Sequence, residues 1–288
     1  MTLYETARRR RPYAFRVLLI WFLAWVLVGV VLLATGSPPL FGPIEDFIFI
    51  ALAAGLVFSD LSRRLTFTSA VKAFVWVTVV SSIIEYIGAT TGNPFGAYTY
   101  TEAFGPTLLQ TLPLSIPLAW FVVVLPPYLA LELKLARTPA GTAILVVLTG
   151  FIVMLVDVGL EPVATVLRGY WLWEPGQFGN FFYGVPLRNF FGWWGTGTLI
   201  AVGLRAMLRE PRLRPPAGRN FPALPFTVLL CVLLTFLAAA FGNGLWGASA
   251  ILGLLILFFS LWMLAAAPRP LVLIYRQWKG LPAAPGLG

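Results

Sequence analysis

Long apolar runs separated by short polar connections dominate this chain. The runs fall at 14–35, 44–60, 69–88, 112–133, 140–160, 187–204, 224–241 and 248–267. A helix needs ~20 apolar residues to cross the ~30 Å hydrocarbon core of a bilayer. The pattern therefore predicts an all-α, polytopic membrane bundle of about eight transmembrane helices. The second run is the shortest, with only Phe47–Phe58 free of polar residues. It is counted as a span because the charge alternation below fails without it. The first run follows Arg8, Arg9, Arg10 and Arg11. It exceeds the usual signal-peptide core and no small-residue cleavage site follows, so it is expected to stay as an anchor. Pro113, Pro117, Pro126 and Pro127 in the fourth run predict a kinked helix with space beside it. Residues 1–279 are expected to form one transmembrane catalytic domain, with 280–288 a disordered tail.

Charge placement orients the bundle. In the eight-span reading, 18 of the 20 basic residues fall on one side, leaving only Arg168 and Arg188 on the other. By the positive-inside rule both termini are cytoplasmic and the protein is a multi-pass component of the cell membrane. The net charge of +9 thus marks solvated ends and lipid contacts rather than a nucleic-acid surface. The composition agrees: 59% of residues are hydrophobic and 11% charged, against ~25% charged in a soluble domain.

The chain has no histidine and a single cysteine, Cys231, inside an apolar run. Histidine-ligated di-iron, haem and zinc sites, Ser-His-Asp triads and disulfide frameworks are excluded. Walker A and dinucleotide fingerprints are also absent, as is a paired-acid diphosphate motif. The expected chemistry uses carboxylates, hydroxyls, amides, Arg or Lys and aromatic rings, with no cofactor and no metal.

Seven of the eleven acids lie on the side poor in basic residues. Asp157 and Glu161 are four apart at the outer end of the fifth run, hence on one helical face. Glu85 sits at similar depth in the third run, and Glu45 and Asp46 begin the second. Ionisable residues at membrane depth are costly and point to function. These acids predict a carboxylate shelf below the outer headgroups, or else a set of helix-end acids paired with Arg168 and Arg188. Two outer connections are unusual. One, from Glu85 to Tyr100, is rich in Gly and Tyr. The other holds 11 aromatics within residues 161–194, too dense for an interfacial belt, and predicts the lining of an apolar ligand site. Arg188 and Asn189 enter the sixth run there, and either is placed to hold a carboxylate or a water.

The blocks Glu85-Tyr86-Ile87-Gly88, Gly92-Asn93-Pro94-Phe95-Gly96-Ala97-Tyr98-Thr99-Tyr100, Asp157 with Glu161-Pro162, Trp171-Leu172-Trp173 and Tyr183-Gly184-Val185-Pro186 with Asn189-Phe190 and Gly192-Trp193 resemble the integral-membrane carotenoid 1,2-hydratases. That family includes γ-carotene/lycopene hydratases and bisanhydrobacterioruberin hydratases. The similarity spans about residues 44–265. Glu161 stands where the pattern more often has Asp, which keeps a carboxylate and changes its reach.

The resemblance implies a hydro-lyase that adds water across the terminal C1–C2 double bond of a linear ψ-end carotenoid. Its partners would be the carotenoid, the bilayer and water; the oligomeric state stays open. The catalytic candidates are Asp157, Glu85 and Glu161, with Asp157 as acid and Glu85 or Glu161 handling the water. The substrate-binding candidates are Tyr86, Tyr98, Tyr100, Trp171, Trp173, Tyr183, Asn189 and Trp193. A cyclase using the same cation and a lipid or solute transporter using the acids as a relay are the competing classes.

Overall fold

The computed structural model describes residues 3–35, 43–136, 138–176, 180–208, 221–266 and 270–279. The expected tail at 280–288 and several expected cytoplasmic basic residues (Arg137, Arg209, Arg212, Arg214, Arg219 and Arg269) lie outside them.

Among the described residues, eight helices of 20 residues or more stand where the apolar runs are: α1 (Leu3–Ala34), α2 (Ile44–Arg64), α3 (Phe67–Thr91), α4 (Ser115–Leu135), α5 (Pro139–Pro162), α6 (Leu187–Met207), α7 (Ala223–Gly242) and α8 (Trp246–Ala266). A short α9 (Pro270–Trp278) follows, which the apolar pattern does not announce. Six of these helices, α1, α3, α4, α5, α7 and α8, are long and apolar enough to cross a membrane. The protein is a multi-pass membrane helix bundle. Its centre is α4, where 83% of the apolar stretch is buried, against 11% in the peripheral α1.

Helix boundaries follow local chemistry. Thr66 and Thr138 cap α3 and α5, their side chains accepting from Ser69 N at 3.2 Å and Gly141 N at 3.0 Å. Gly92 ends α3 at φ 73, where a side chain would be strained, and its N–H donates to Gly88 O at 2.8 Å. Helix α2 outruns its apolar stretch because Asp60 and Arg64, one turn apart, pair with each other while buried. Pro162 does not stop α5: the chain continues into a wide turn at Val163–Leu167, closed by Arg168 N donating to Val163 O at 2.9 Å.

Side-chain bonds tie the two ends of the bundle. At one end Arg64 donates to Phe221 O at 3.2 Å, Arg205 to Ala136 O at 2.8 Å, and Arg16 to Trp278 O at 2.9 Å. Arg16 also lies 4.6 Å from the Trp278 ring centroid, which seats α9 against α1. At the other end Asn243 donates to Leu33 O at 3.0 Å and Arg188 to Asn93 Oδ1 at 2.6 Å. Loop strands gather at this second end. Among the described residues they are β1 (Tyr98–Tyr100), β2 (Thr107–Leu108), β3 (Leu112–Pro113), β4 (Trp171–Trp173), β5 (Asn180–Phe182) and β6 (Val185–Pro186), in three antiparallel ribbons. Residues 112–113, expected in the fourth helix, belong to a ribbon instead. They pair with Thr107 and Leu108, and Leu114 N donates to Pro106 O at 2.9 Å before the helix begins.

Small residues bring helices together where lipid provides little hydrophobic drive. A side-chain carbon on Gly150 would stand 2.3 Å from Thr198 Oγ1 and 2.4 Å from the Trp194 carbonyl. Gly150→Val is therefore expected to lower the melting temperature by several degrees, as overpacking costs ~1–3 kcal/mol. Gly253→Ala, with no neighbouring atom within 4 Å, should leave it unchanged; thermal unfolding of both in detergent checks this.

Candidate functional site

The site forms at the ribbon-bearing end. Strand alternation sends every second side chain to the same face. In the ribbon β1–β4, Tyr98 pairs with Trp173 and Tyr100 with Trp171, while Thr99 and Leu172 pair between them. Leu172 is 59% exposed on the far face. The four aromatic rings therefore turn together toward the helix ends, and each carries a hydrogen-bond donor.

Those donors meet carboxyl groups. Glu85, at the end of α3, accepts from Tyr98 Oη at 2.8 Å and Tyr100 Oη at 2.7 Å on one oxygen, and from Trp120 Nε1 at 2.7 Å on the other. Glu161, on α5, accepts from Trp171 Nε1 at 2.8 Å and Trp173 Nε1 at 2.7 Å, both on Oε1. Its Oε2 takes no hydrogen bond from a protein donor. One turn earlier, Asp157 accepts from Asn189 Nδ2 of α6 at 2.8 Å. The Asp157 and Glu161 carboxyls lie within hydrogen-bonding reach of each other. All three acids are buried, between 1% and 3% exposed. Burial and the adjacent Glu85 carboxyl raise the Tyr98 and Tyr100 phenols well above their ordinary range, so both remain donors at any working pH.

The carboxyls adjoin two cavities. The larger runs between α1, α2, α4, α5 and α7, and offers ≈ 120 Å³ to the centre of a water-sized sphere. Its walls are apolar, with Phe49, Ile50, Val123 and Phe236, and Asp157 and Glu161 stand on its lining with Trp171 and Trp193. The smaller, ≈ 20 Å³ by the same measure, lies between Glu85, Glu161, Asn189, Tyr98, Tyr100 and Phe95. Trp193 stacks on Trp120 at 4.0 Å and 14°.

Most of the residues expected from the sequence meet here: Asp157, Glu85, Glu161, Tyr98, Tyr100, Trp171, Trp173, Asn189 and Trp193. Tyr86 does not. One residue beyond Glu85, it is turned by ~100° around the helix and is 40% exposed. Tyr183 also lies elsewhere: 37% exposed, it accepts from Gly247 N at 3.1 Å, bracing the β5–β6 loop on α8. Of Arg188 and Asn189, only Asn189 reaches a site carboxyl. Glu45 and Asp46 line the larger cavity but are engaged by Arg168, at 3.8 Å to Glu45 and in direct contact with Asp46. Arg168 in turn donates to Tyr170 Oη at 3.1 Å. Two contributors escape sequence reasoning. Trp120 is one; a buried indole N–H needs an acceptor, which is the one signal that could have found it. Phe95 is the other, wedged where carbons added at Gly88 and Gly192 would stand 2.7 Å and 2.6 Å from its ring.

A membrane bundle with acids clustered at one end of an apolar cavity is the class that fold and site define. Residues 46–260 match the model of a family described as carotenoid biosynthesis protein, and the chain belongs to that family. It is similar to bisanhydrobacterioruberin hydratase of Haloarcula japonica, with 36% identity over 170 residues, covering 56% of this chain and 54% of that protein. The chain thus matches that relative over about half its length. No solved structure matches.

Proposed function

We propose that the protein is a carotenoid hydratase, a hydro-lyase that adds water to the terminal C1–C2 double bond of a linear ψ-end of the lycopene or γ-carotene type. The observation that carries this reading is the cluster of three buried carboxyls, held by indole, phenol and amide donors at the end of an apolar cavity. The hydratase character of the relative and the family's place in carotenoid biosynthesis support it.

The chemistry follows from the placement. The alkene end occupies the larger cavity and meets Asp157. Asp157 gives a proton to C2, leaving a tertiary cation at C1. The faces of Trp171 and Trp193 and the Glu161 carboxylate stabilise that charge. Water attacks C1 and loses its proton to Glu161, directly or by way of Glu85 across the small cavity, and the Glu161–Asp157 contact returns that proton to Asp157. Alkene and water combine with no proton consumed, and no cofactor is required. Glu85 has three donor partners and no acceptor, an environment suited to an ionised carboxylate that takes a proton rather than supplies one. A cyclase would generate a like cation and exclude water; a polar chamber beside the acids favours hydration.

The same reading sets all eight long helices across the cell membrane, with both termini cytoplasmic and the carboxylates near the opposite face. A carotenoid is about as long as the ~30 Å hydrocarbon core, so one lying along the membrane normal brings its end to this depth. Expression in a host that makes lycopene should yield a carotenoid heavier by one water, read by mass spectrometry. Lycopene recovered unchanged would count against a lycopene-type substrate, and a ring in place of the hydroxyl would assign the cyclase.

A further inference from the structure

The smaller cavity adjoins the larger one, and both use Ile116, Glu161, Trp171 and Trp193 as wall. A buried water needs two to four polar partners. The chamber, with ≈ 20 Å³ open to the centre of a water-sized sphere, has room for water. Its lining supplies the partners: Glu85, Asn189 and Glu161, whose Oε2 is buried without a protein donor. A carboxylate oxygen has two lone pairs, so that atom is open to accept from a water. Phe95, seated against Gly88 and Gly192, fills the remaining side.

We infer that this chamber is the binding site of the attacking water, and that its tight aromatic lining, rather than exclusion by the bulk membrane, favours the smallest nucleophile. The inference rests on the hydratase reading and adds where the nucleophile comes from. Water sits on one side of the Glu161 carboxylate and the alkene terminus on the other. When the cation forms at C1, the water held by Glu161, which lines both spaces, makes the C–O bond, and the released proton passes to Glu161 or Glu85. Methanol would follow the same balance and give a methyl ether, but its methyl group must be placed among the rings of Phe95, Tyr98 and Tyr100.

The test is product analysis in dilute methanol with purified protein in nanodiscs. The wild type should give the alcohol and discriminate against the ether by about 10- to 100-fold beyond the solvent ratio, as a single-carbon misfit does in a packed pocket. Phe95→Ala and Ile116→Ala each widen the chamber and should bring the ether up toward the solvent ratio; two variants are used because Phe95 also braces two helices. Ether from the wild type in proportion to solvent composition would overturn the chamber, as would active, folded variants that still give none. A high-resolution structure of the wild-type protein should also show an ordered water within hydrogen-bonding distance of Glu161 in this chamber. Its absence would overturn the inference whatever the products. A wild type making no alcohol in plain water would instead contradict the hydratase reading, leaving the ordered water as the measure of the chamber.

Discussion

Asp157→Asn protein inserts into membranes in normal amount and forms no detectable hydroxylated carotenoid. The expected loss is about 10³-fold or more, within the span attributed to a positioned general acid. Asn has nearly the volume of Asp, and its amide oxygen still accepts from Asn189 Nδ2, now at 2.8 Å from Asp157. The fold should therefore survive, and size-exclusion and thermal unfolding profiles should match the wild type. What disappears is the proton beside the alkene. Asn189→Leu tests the orientation of the same acid. It removes the amide donor and should lower turnover less, because Asp157 keeps its contact with Glu161. Normal conversion by Asp157→Asn would remove Asp157 from the mechanism.

The second large effect is expected at Glu85. Glu85→Gln places an amide where three donors converge. Its oxygen can satisfy Trp120, whose indole cannot accept, while its NH₂ must meet the phenols of Tyr98 and Tyr100, which can. The replacement is thus foldable at a cost of about 1–3 kcal/mol, and activity should fall by ~10²-fold. Trp120→Phe removes one donor, leaves the carboxylate on two phenols, and should be the milder variant in both stability and turnover. Measured side by side, the pair separates charge from packing. Turnover in Glu85→Gln equal to that in Trp120→Phe would mean that Glu85 serves only to anchor the ribbon.

The chain's pattern makes the helices plain and the ribbons invisible. Runs of about twenty apolar residues have one physical solution in a bilayer, since every backbone polar group must be paired within the segment. The three-residue strands β1 and β4 are too short to show alternation, and what pairs them lies over seventy residues away in the chain. Depth along the helices was readable for Glu85, Asp157 and Glu161, because a rise per residue converts position into height. Direction was not readable for aromatics. Tyr86 and Tyr183 share composition with Tyr98 and Tyr100, but helix phase and a positive φ of 53 at Tyr183 aim them elsewhere. Arg168 was visible as a rare cation on the acidic side. Its engagement of Glu45 and Asp46, which leaves the α5 acids to the site, depends on the wide turn after Pro162. Helix α9 went unanticipated because nine residues fall below the length at which an apolar run stands out.

The central claim is that a carboxylic acid protonates the alkene terminus and that water captures the cation. Reaction of the purified protein with a linear ψ-end carotenoid in deuterium oxide enriched in heavy oxygen reads both events in one product. The account predicts one deuterium at C2 and heavy oxygen at C1 in every molecule of alcohol. Oxygen drawn from the gas phase, or alcohol formed without deuterium at C2, would contradict it.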